Sequence, residues 1–248
     1  MSIRLCKYLA DRGLCSRRQA SRLIEQGRLQ LNGVVASHIS HIMPGDQLLL
    51  DGMPLPPADS KQVWLYHKAT GVDCNLNPAK SDSLYHQLQQ LPVRLHPVGR
   101  LDKDSCGLLL LSNDGELTQR LLHPEFEHPK EYLVRTEPAP NAQQLAALAA
   151  GVNWQVGPHQ YQSKACRVWP APHGFRIELT QGLNRQIRYM SRAVGLKVVF
   201  LQRQRLGELQ LGTLAEDQSR VLTTQEYQQL RHSLGLSAEP ADNGAAAD

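Results

Sequence analysis

The stretch that most constrains this chain is Gly99 to Gly115, which reads G-R-L-D-K-D-S-C-G-L-L-L-L-S-N-D-G. Four consecutive leucines, Leu108 to Leu111, lie between Gly107 and an Asn113-Asp114-Gly115 turn. An apolar run this short, bounded by turn residues, predicts a strand buried on both faces. Such a strand is a rigid anchor. The charged loop that feeds it, Arg100-Leu101-Asp102-Lys103-Asp104, can therefore hold a carboxylate in a fixed place, as catalysis requires. Taken alone, two aspartates two residues apart read equally as loop caps or as solvated charges beside Arg100 and Lys103.

Composition excludes several classes. A length of 248 residues fits one large domain or two smaller ones with a real core. No apolar run approaches the length of a membrane span, and the N-terminus shows no apolar leader. Five cysteines at wide spacing, without C-x-x-C, argue against a disulfide framework and against a zinc site. Reduced thiols and a cytoplasmic location are expected. The ten histidines are scattered and form no metal-binding motif. A formal net charge of +4 is too modest to identify a nucleic-acid binder, so its distribution matters more.

Residues 1–52 read as one compact unit. Leu5, Tyr8 and Leu9 share a helix face that ends at Gly13. Ser16 and Gln19 form a capping box for a second helix, which buries Ala20, Leu23 and Ile24 and closes at Gly27. A hairpin over 28–36 turns at Asn32-Gly33, and a strand over 47–50 follows the Pro44-Gly45-Asp46 turn. The unit carries seven basic and four acidic residues, the basic ones crowded onto the helices. Residues 53–61 form a proline-rich tether. Residues 62–236 alternate strands (63–67, 130–134, 161–168, 175–180, 197–201) with helices (83–91, 116–122, 141–150, 185–194). A basic loop is expected over 203–207, and the Ala-, Asp- and Glu-rich tail, 237–248, has a disordered composition.

Two helices, an N-G hairpin and a P-G-D turn resemble the S4 RNA-binding module. The likeness rests on Arg4, Lys7, Ser16, Arg17, Arg18, Ala20, Gly27, Asn32, Gly33, Pro44, Gly45 and Asp46. Three later pieces, the Asp102 loop, Lys130-Glu131-Tyr132 and Gln181-Gly182-Leu183-Asn184-Arg185-Gln186-Ile187-Arg188, resemble the bacterial ribosomal RNA pseudouridine synthases. The last string leans toward the F-type branch, which acts on 23S rRNA and also accepts a tRNA. Two positions depart from the pattern. Ala69 stands in Lys68-Ala69-Thr70-Gly71 where related enzymes read Lys-Pro-x-Gly, and Tyr189 stands where the branch often has a second arginine.

The resemblance implies an α+β fold, with a small S4 domain ahead of a mixed, mostly antiparallel sheet flanked by helices. It implies Asp102 as the catalytic aspartate, Arg188 as its ion-pair partner and Tyr132 as the ring stacked on the target uracil. Arg4, Lys7, Arg17 and Arg18 of the S4 module would meet RNA, as would Arg100, Arg185 and Arg203 around the site, because a guanidinium fork suits phosphate. The partner is then ribosomal RNA, with tRNA as a second substrate, and the protein is expected to be a monomer.

These residues suit the reaction on chemical grounds. Converting uridine to pseudouridine breaks the N1–C1′ bond, turns the uracil and rejoins it through C5, with no net gain of atoms or electrons. No metal, nucleotide or redox cofactor is expected. An aspartate, with a reference pKa of about 3.9, is ionised at neutral pH and either attacks C1′ or removes the C2′ proton. A tyrosine hydroxyl stays protonated there. Two rivals remain: a non-catalytic RNA-binding protein with a decayed synthase domain, and a nucleosidase using Asp102 and Asp104 as a carboxylate pair. Intact Asp102, Tyr132 and Arg188 speak against the first. Carboxylates at i and i+2 of one loop do not readily straddle a bond, which speaks against the second.

Overall fold

The computed structural model describes residues 2–237, so the expected tail lies, from residue 238 onward, outside the described residues. The chain begins with β1 (Ile3–Arg4), α1 (Leu5–Asp11) and α2 (Arg17–Glu25), followed by β2 (Leu29–Leu31), β3 (Val34–Val35), β4 (His41–Ile42), β5 (Leu48–Leu50) and β6 (Met53–Pro54). The capping box at α2 is present: the Gln19 amide donates to Ser16 Oγ at 3.1 Å, and the Ser16 amide donates to Gln19 Oε1 at 2.9 Å. Asn32 and Gly33, with φ of 51° and 80°, make the left-handed turn between β2 and β3. Leu5, Leu9, Ala20 and Ile24 from the helices meet Leu29, Ile42 and Leu48 from the strands in a core of their own. One boundary moves. Met53 and Pro54, expected in the tether, pair with β5 at the edge of a four-stranded sheet, where a proline's missing N–H faces no neighbour.

The larger part comprises β7 (Val63–Lys68), α3 (Tyr85–Leu88), β8 (His96–Val98), β9 (Cys106–Ser112), α4 (Gly115–Leu122), β10 (Lys130–Glu137), α5 (Ala142–Ala150), β11 (Asn153–Val156), β12 (His159–Gln162), β13 (Arg167–Ala171), β14 (Gly174–Leu179), α6 (Gln186–Ala193), β15 (Lys197–Leu206), β16 (Leu209–Gln210), β17 (Ser219–Val221) and α7 (Thr224–Ser233). Its nine-stranded sheet runs β13-β14-β10-β15-β9-β7-β17, with β16 on β15 and β8 on β9. Among the described residues, all pairings of this sheet are antiparallel except β15 with β9. The architecture is α+β, as expected.

The leucine strand sits at the centre of this sheet, and every residue of β9 is buried. Its side chains divide by parity. Leu108 and Leu110 join Val63, Leu65, Leu117 and Tyr227 on one face, whereas Leu109 and Leu111 join Tyr66, Leu84, Leu88 and Leu95 on the other. Burying each leucine contributes roughly 1.5–3 kcal/mol, which anchors β9 firmly in the sheet. A third cluster, with Val134, Phe175, Ile177, Ile187 and Met190, packs α5 and α6 onto the other half of the sheet.

Three of the expected elements take a different form. The helix expected over 83–91 is only α3, flanked by tighter turns in which the His86, Gln90 and Leu91 amides donate to carbonyls three residues back. The strand expected over 161–168 divides, since Ser163 and Cys166 hydrogen-bond back to Val152 and Ala149 and turn the chain between β12 and β13. The basic loop expected over 203–207 is instead mostly the end of β15, paired with β10 as far as Leu206.

β15 reaches β9 over only two residue pairs, Gln202 with Cys106 and Arg203 with Gly107. A Cβ on Gly107 would stand 2.3 Å from the Arg203 carbonyl oxygen, and its φ of 104° is one that side chains resist. Gly107→Ala is therefore expected to destabilise the fold by about 3 kcal/mol or more, read as a lower denaturant midpoint at unchanged m-value.

Candidate active site

Lys130 and Tyr132 of β10 and Leu201, Arg203 and Leu206 of β15 form the floor of a cleft of about 810 Å³. On one side stands the loop that feeds β9, and on the other the segment 180–186 leading into α6. Asp102, Tyr132, Arg185, Lys130 and Arg203 all line this space, although they come from four separate parts of the chain.

The Asp102 loop is tied down at nearly every residue. The Leu101 amide donates to Cys74 Sγ at 3.4 Å, the Gly71 amide to the Lys103 carbonyl at 2.8 Å, and the Ser105 amide to the Asp102 carbonyl at 3.0 Å. Lys68 is fully buried, and its Nζ donates to the carbonyls of Ala69 and Ser105, each at 2.8 Å. Burial pulls the Lys68 pKa below the ordinary lysine value. Ala69 thus sits beside a lysine that fastens the end of the loop to β7. Asp102 itself remains partly open to the cleft, its side chain 25% exposed.

The cations opposite the loop are arranged differently from the sequence reading, which sets Arg188 against Asp102. The Arg188 guanidinium instead donates to the Asp104 carbonyl at 2.8 Å and to Ser105 Oγ at 3.3 Å, and lies 3.3 Å from the Asp104 carboxylate. Arg185 is the cation that approaches Asp102, with Nη1 3.8 Å from Oδ2. It also holds Asp104 through two bonds of 3.0 and 2.7 Å. The reason is geometric: Arg185 precedes α6 in a left-handed conformation, φ 51°, which turns its side chain toward the loop, whereas Arg188 comes up within the helix. The Arg185 hydrogen bonds hold the Asp104 carboxyl below the usual carboxylate range, and Asp104 in turn raises Arg185. Burial lowers Arg188, and Asp104 works against that.

Tyr132 and Lys130 stand two residues apart on β10 and so share one face of the sheet. Tyr132 is half-buried, packed between the cluster under α6 and the cluster under α3, and pairs in register with Arg203. The sequence reading makes Arg203 an exposed phosphate contact. It is 4% exposed, with Nε donating to the Leu108 carbonyl at 2.7 Å, because residue 203 is in a strand and not in a loop. Arg100 is exposed at the rim, and so are Arg4 at the end of β1 and Lys7, Arg17 and Arg18 on the first two helices, with Lys7 bound to Asp11 at 2.6 Å.

Residues 62–193 match the family described as RNA pseudouridylate synthase. The chain belongs to that family. Residues 3–46 of the synthase match the S4 domain. The dual-specificity RNA pseudouridine synthase RluF of Escherichia coli (strain CFT073) is 37% identical over 228 residues, covering 91% of this chain and 77% of its own. The ribosomal large subunit pseudouridine synthase B of Bacillus subtilis (strain 168) is 33% identical, covering 92% and 95%. A crystal structure of a pseudouridylate synthase superposes with a TM-score of 0.65 at 28% identity, over 92% of this chain and all of that one. The S4 domain, the mixed sheet and the resemblance to the F-type branch thus agree with the sequence reading.

Sequence reasoning misses Lys68 and Lys130 as parts of the site, although Lys68-Ala69-Thr70-Gly71 and Lys130-Glu131-Tyr132 both stand out as motifs. It also misses the left-handed Arg185, for which no local signal exists. Because Asp104 is the bidentate anchor of Arg185, Asp104→Ala is expected to slow single-turnover pseudouridine formation about tenfold while RNA affinity stays within about twofold. An unchanged rate would mean that Arg185 is held by other groups.

Proposed function

We propose that this synthase isomerises uridine in ribosomal RNA, in the large-subunit 23S rRNA and also in a tRNA, using Asp102 against the ribose. One observation carries the reading: a partly open Asp102 on a rigid loop faces Arg185 across a cleft that Tyr132 lines. The names of the two relatives, one dual-specific and one acting on the large ribosomal subunit, support the choice of RNA.

The target uridine leaves its helix or loop at a cost of a few kcal/mol and enters the cleft. Arg185 favours the ionised form of Asp102 against the desolvation that accompanies closure over RNA. The carboxylate then attacks C1′ or removes the C2′ proton, and the N1–C1′ bond breaks with its electron pair passing to the uracil. Tyr132 offers a ring face on which the detached base turns. C5 then bonds to C1′ as the Asp102–C1′ bond breaks or as the proton returns to C2′, and the proton lost from C5 is matched by one gained at N1. Asp104 takes no direct part, because two hydrogen bonds commit it to Arg185. That commitment counts against a nucleosidase using a carboxylate pair.

Residues 1–52 act in this reading as the S4 RNA-binding unit, with Arg4, Lys7, Arg17 and Arg18 on phosphates. Residues 53–61 connect it to the catalytic unit, 62–236, in which Arg100 and Arg185 face the RNA near the site. The protein works as a monomer in the cytoplasm.

Wild type is expected to release tritium from C5-labelled rRNA and Asp102→Ala to release none; equal release by both would remove the assignment. Arg17→Gln with Arg18→Gln is expected to weaken rRNA binding and to make the log–log salt slope shallower by roughly 1.5, about 0.7–0.9 for each phosphate left without its arginine. A slope identical to wild type would move the RNA track off the second helix.

A further inference from the structure

Two cations at the floor of the cleft have no counter-ion. Arg203 uses Nε on the Leu108 carbonyl, and its Nη2 is buried without any hydrogen-bond partner. Lys130 donates to the carbonyls of His128 at 2.8 Å and Thr180 at 3.2 Å. Among the described residues neither forms an ion pair, whereas Arg176, Arg185, Arg188 and Arg205 around them all do. Placing two like charges in a shared, poorly solvated space costs free energy, and among the described residues carbonyl groups but no carboxylate offset it. Burial and the nearby Arg203 both push the Lys130 pKa below the ordinary lysine value.

Their position says what they await. Lys130, Tyr132 and Arg203 project from one face of the β10–β15 pair, with Tyr132 in register with Arg203. Arg100 and Arg185 stand at the rim, where a phosphate backbone would lie, whereas the Arg203 guanidinium, 4% exposed, is too deep for it. A base drawn fully into the cleft does reach it.

We propose that Arg203 and Lys130 hold the carbonyl oxygens of the extruded uracil and take up the negative charge that the base acquires when its glycosidic bond breaks. The inference rests on the uridine-isomerising reading above. Uracil leaves C1′ with the N1 electron pair whether Asp102 attacks C1′ or removes the C2′ proton. The charge spreads from N1 through the ring onto both carbonyl oxygens, which already accept hydrogen bonds in the neutral base. Donors fixed where charge develops accelerate the step more than they tighten ground-state binding. When C5 bonds to C1′, and the proton lost from C5 is matched by one gained at N1, the ring is neutral again and the cations release it. The same donors disfavour cytosine, whose amino group at C4 would meet them donor to donor.

The test compares uridine with 5-fluorouridine at the target position of an otherwise identical RNA. Fluorine withdraws electrons and makes the base a better leaving group, so the reaction depends less on external charge stabilisation. Arg203→Met is expected to slow single-turnover consumption of the target about 100-fold with uridine but only about tenfold with 5-fluorouridine, at RNA affinity within twofold of wild type. Lys130→Met should show the same contraction from a smaller deficit, and Arg203→Lys should recover part of the rate. Nucleoside analysis of digested RNA gives the rates, and thermal melting shows which variants fold. If Arg203→Met fails to fold, Lys130→Met carries the same comparison. Equal deficits on the two substrates, or weaker RNA binding at an unchanged rate, would overturn the proposal. A wild-type protein that forms no pseudouridine would instead overturn the reading on which it rests.

Discussion

The contact that everything else depends on is the close approach of β15 to β9 at Gly107. It is the one parallel pairing, among the described residues, in a sheet that is otherwise antiparallel, and it spans only two residue pairs. It joins the half of the sheet covered by α5 and α6 to the half covered by α3, α4 and α7. Because the strands touch so briefly, their surroundings separate above the contact, and the cleft occupies that separation. A side chain at position 107 would press on the Arg203 carbonyl, so the residue that allows the two halves to meet also sets the height of Arg203 in the floor. Fold and site therefore share one steric requirement.

Charge in this region is graded by depth. At the rim, Arg100 is exposed, and Lys103 is paired with Asp82. One layer down, Arg185 and Arg188 are committed to Asp104, which fixes them without neutralising Asp102 completely. At the floor, Lys130 and Arg203 are uncompensated. The outer face of the same strands shows the contrast: Glu131 and Glu178 alternate with Arg176 and Arg205 in a paired ladder. A chain able to pair its arginines that thoroughly on one face of β10 leaves two cations unpaired on the other, and this asymmetry locates the charge-handling side.

Much of this is legible in the sequence, for identifiable reasons. The leucine strand, the Ser16 capping box and the Asn32-Gly33 turn are local, and each imposes its geometry within a few residues. Asp102 and Tyr132 are found through motifs carried on such elements. The pairing of Arg185 with Asp102 is not legible, because it depends on a left-handed residue that arginine seldom adopts and that only the packed structure enforces. The burial of Arg203 is hidden for another reason. Gln202-Arg203-Gln204-Arg205 looks like a polar loop, and only its pairing with β10 on one side and β9 on the other, with a register shift that sets Arg203 opposite Tyr132 and Arg205 opposite Glu131, shows that Arg203 points inward while Arg205 points out.

The rigidity of the loop bears on how the chemistry divides among residues. In the proposed reaction Asp102 serves the same carbon before and after the base turns, so its position has to survive the departure of the uracil. Lys68, Cys74, Gly71 and Arg188 hold the loop through its backbone and through Ser105, and none of these bonds involves the Asp102 carboxylate. The carboxylate is consequently free to change bonding partner without loosening its own support. Tyr132, in contrast, is held by packing between two apolar clusters and offers a flat, non-directional face. A rotating ring tolerates such a surface. The anchored carboxylate suits the sugar, which stays in place, and the stacking face suits the base, which moves.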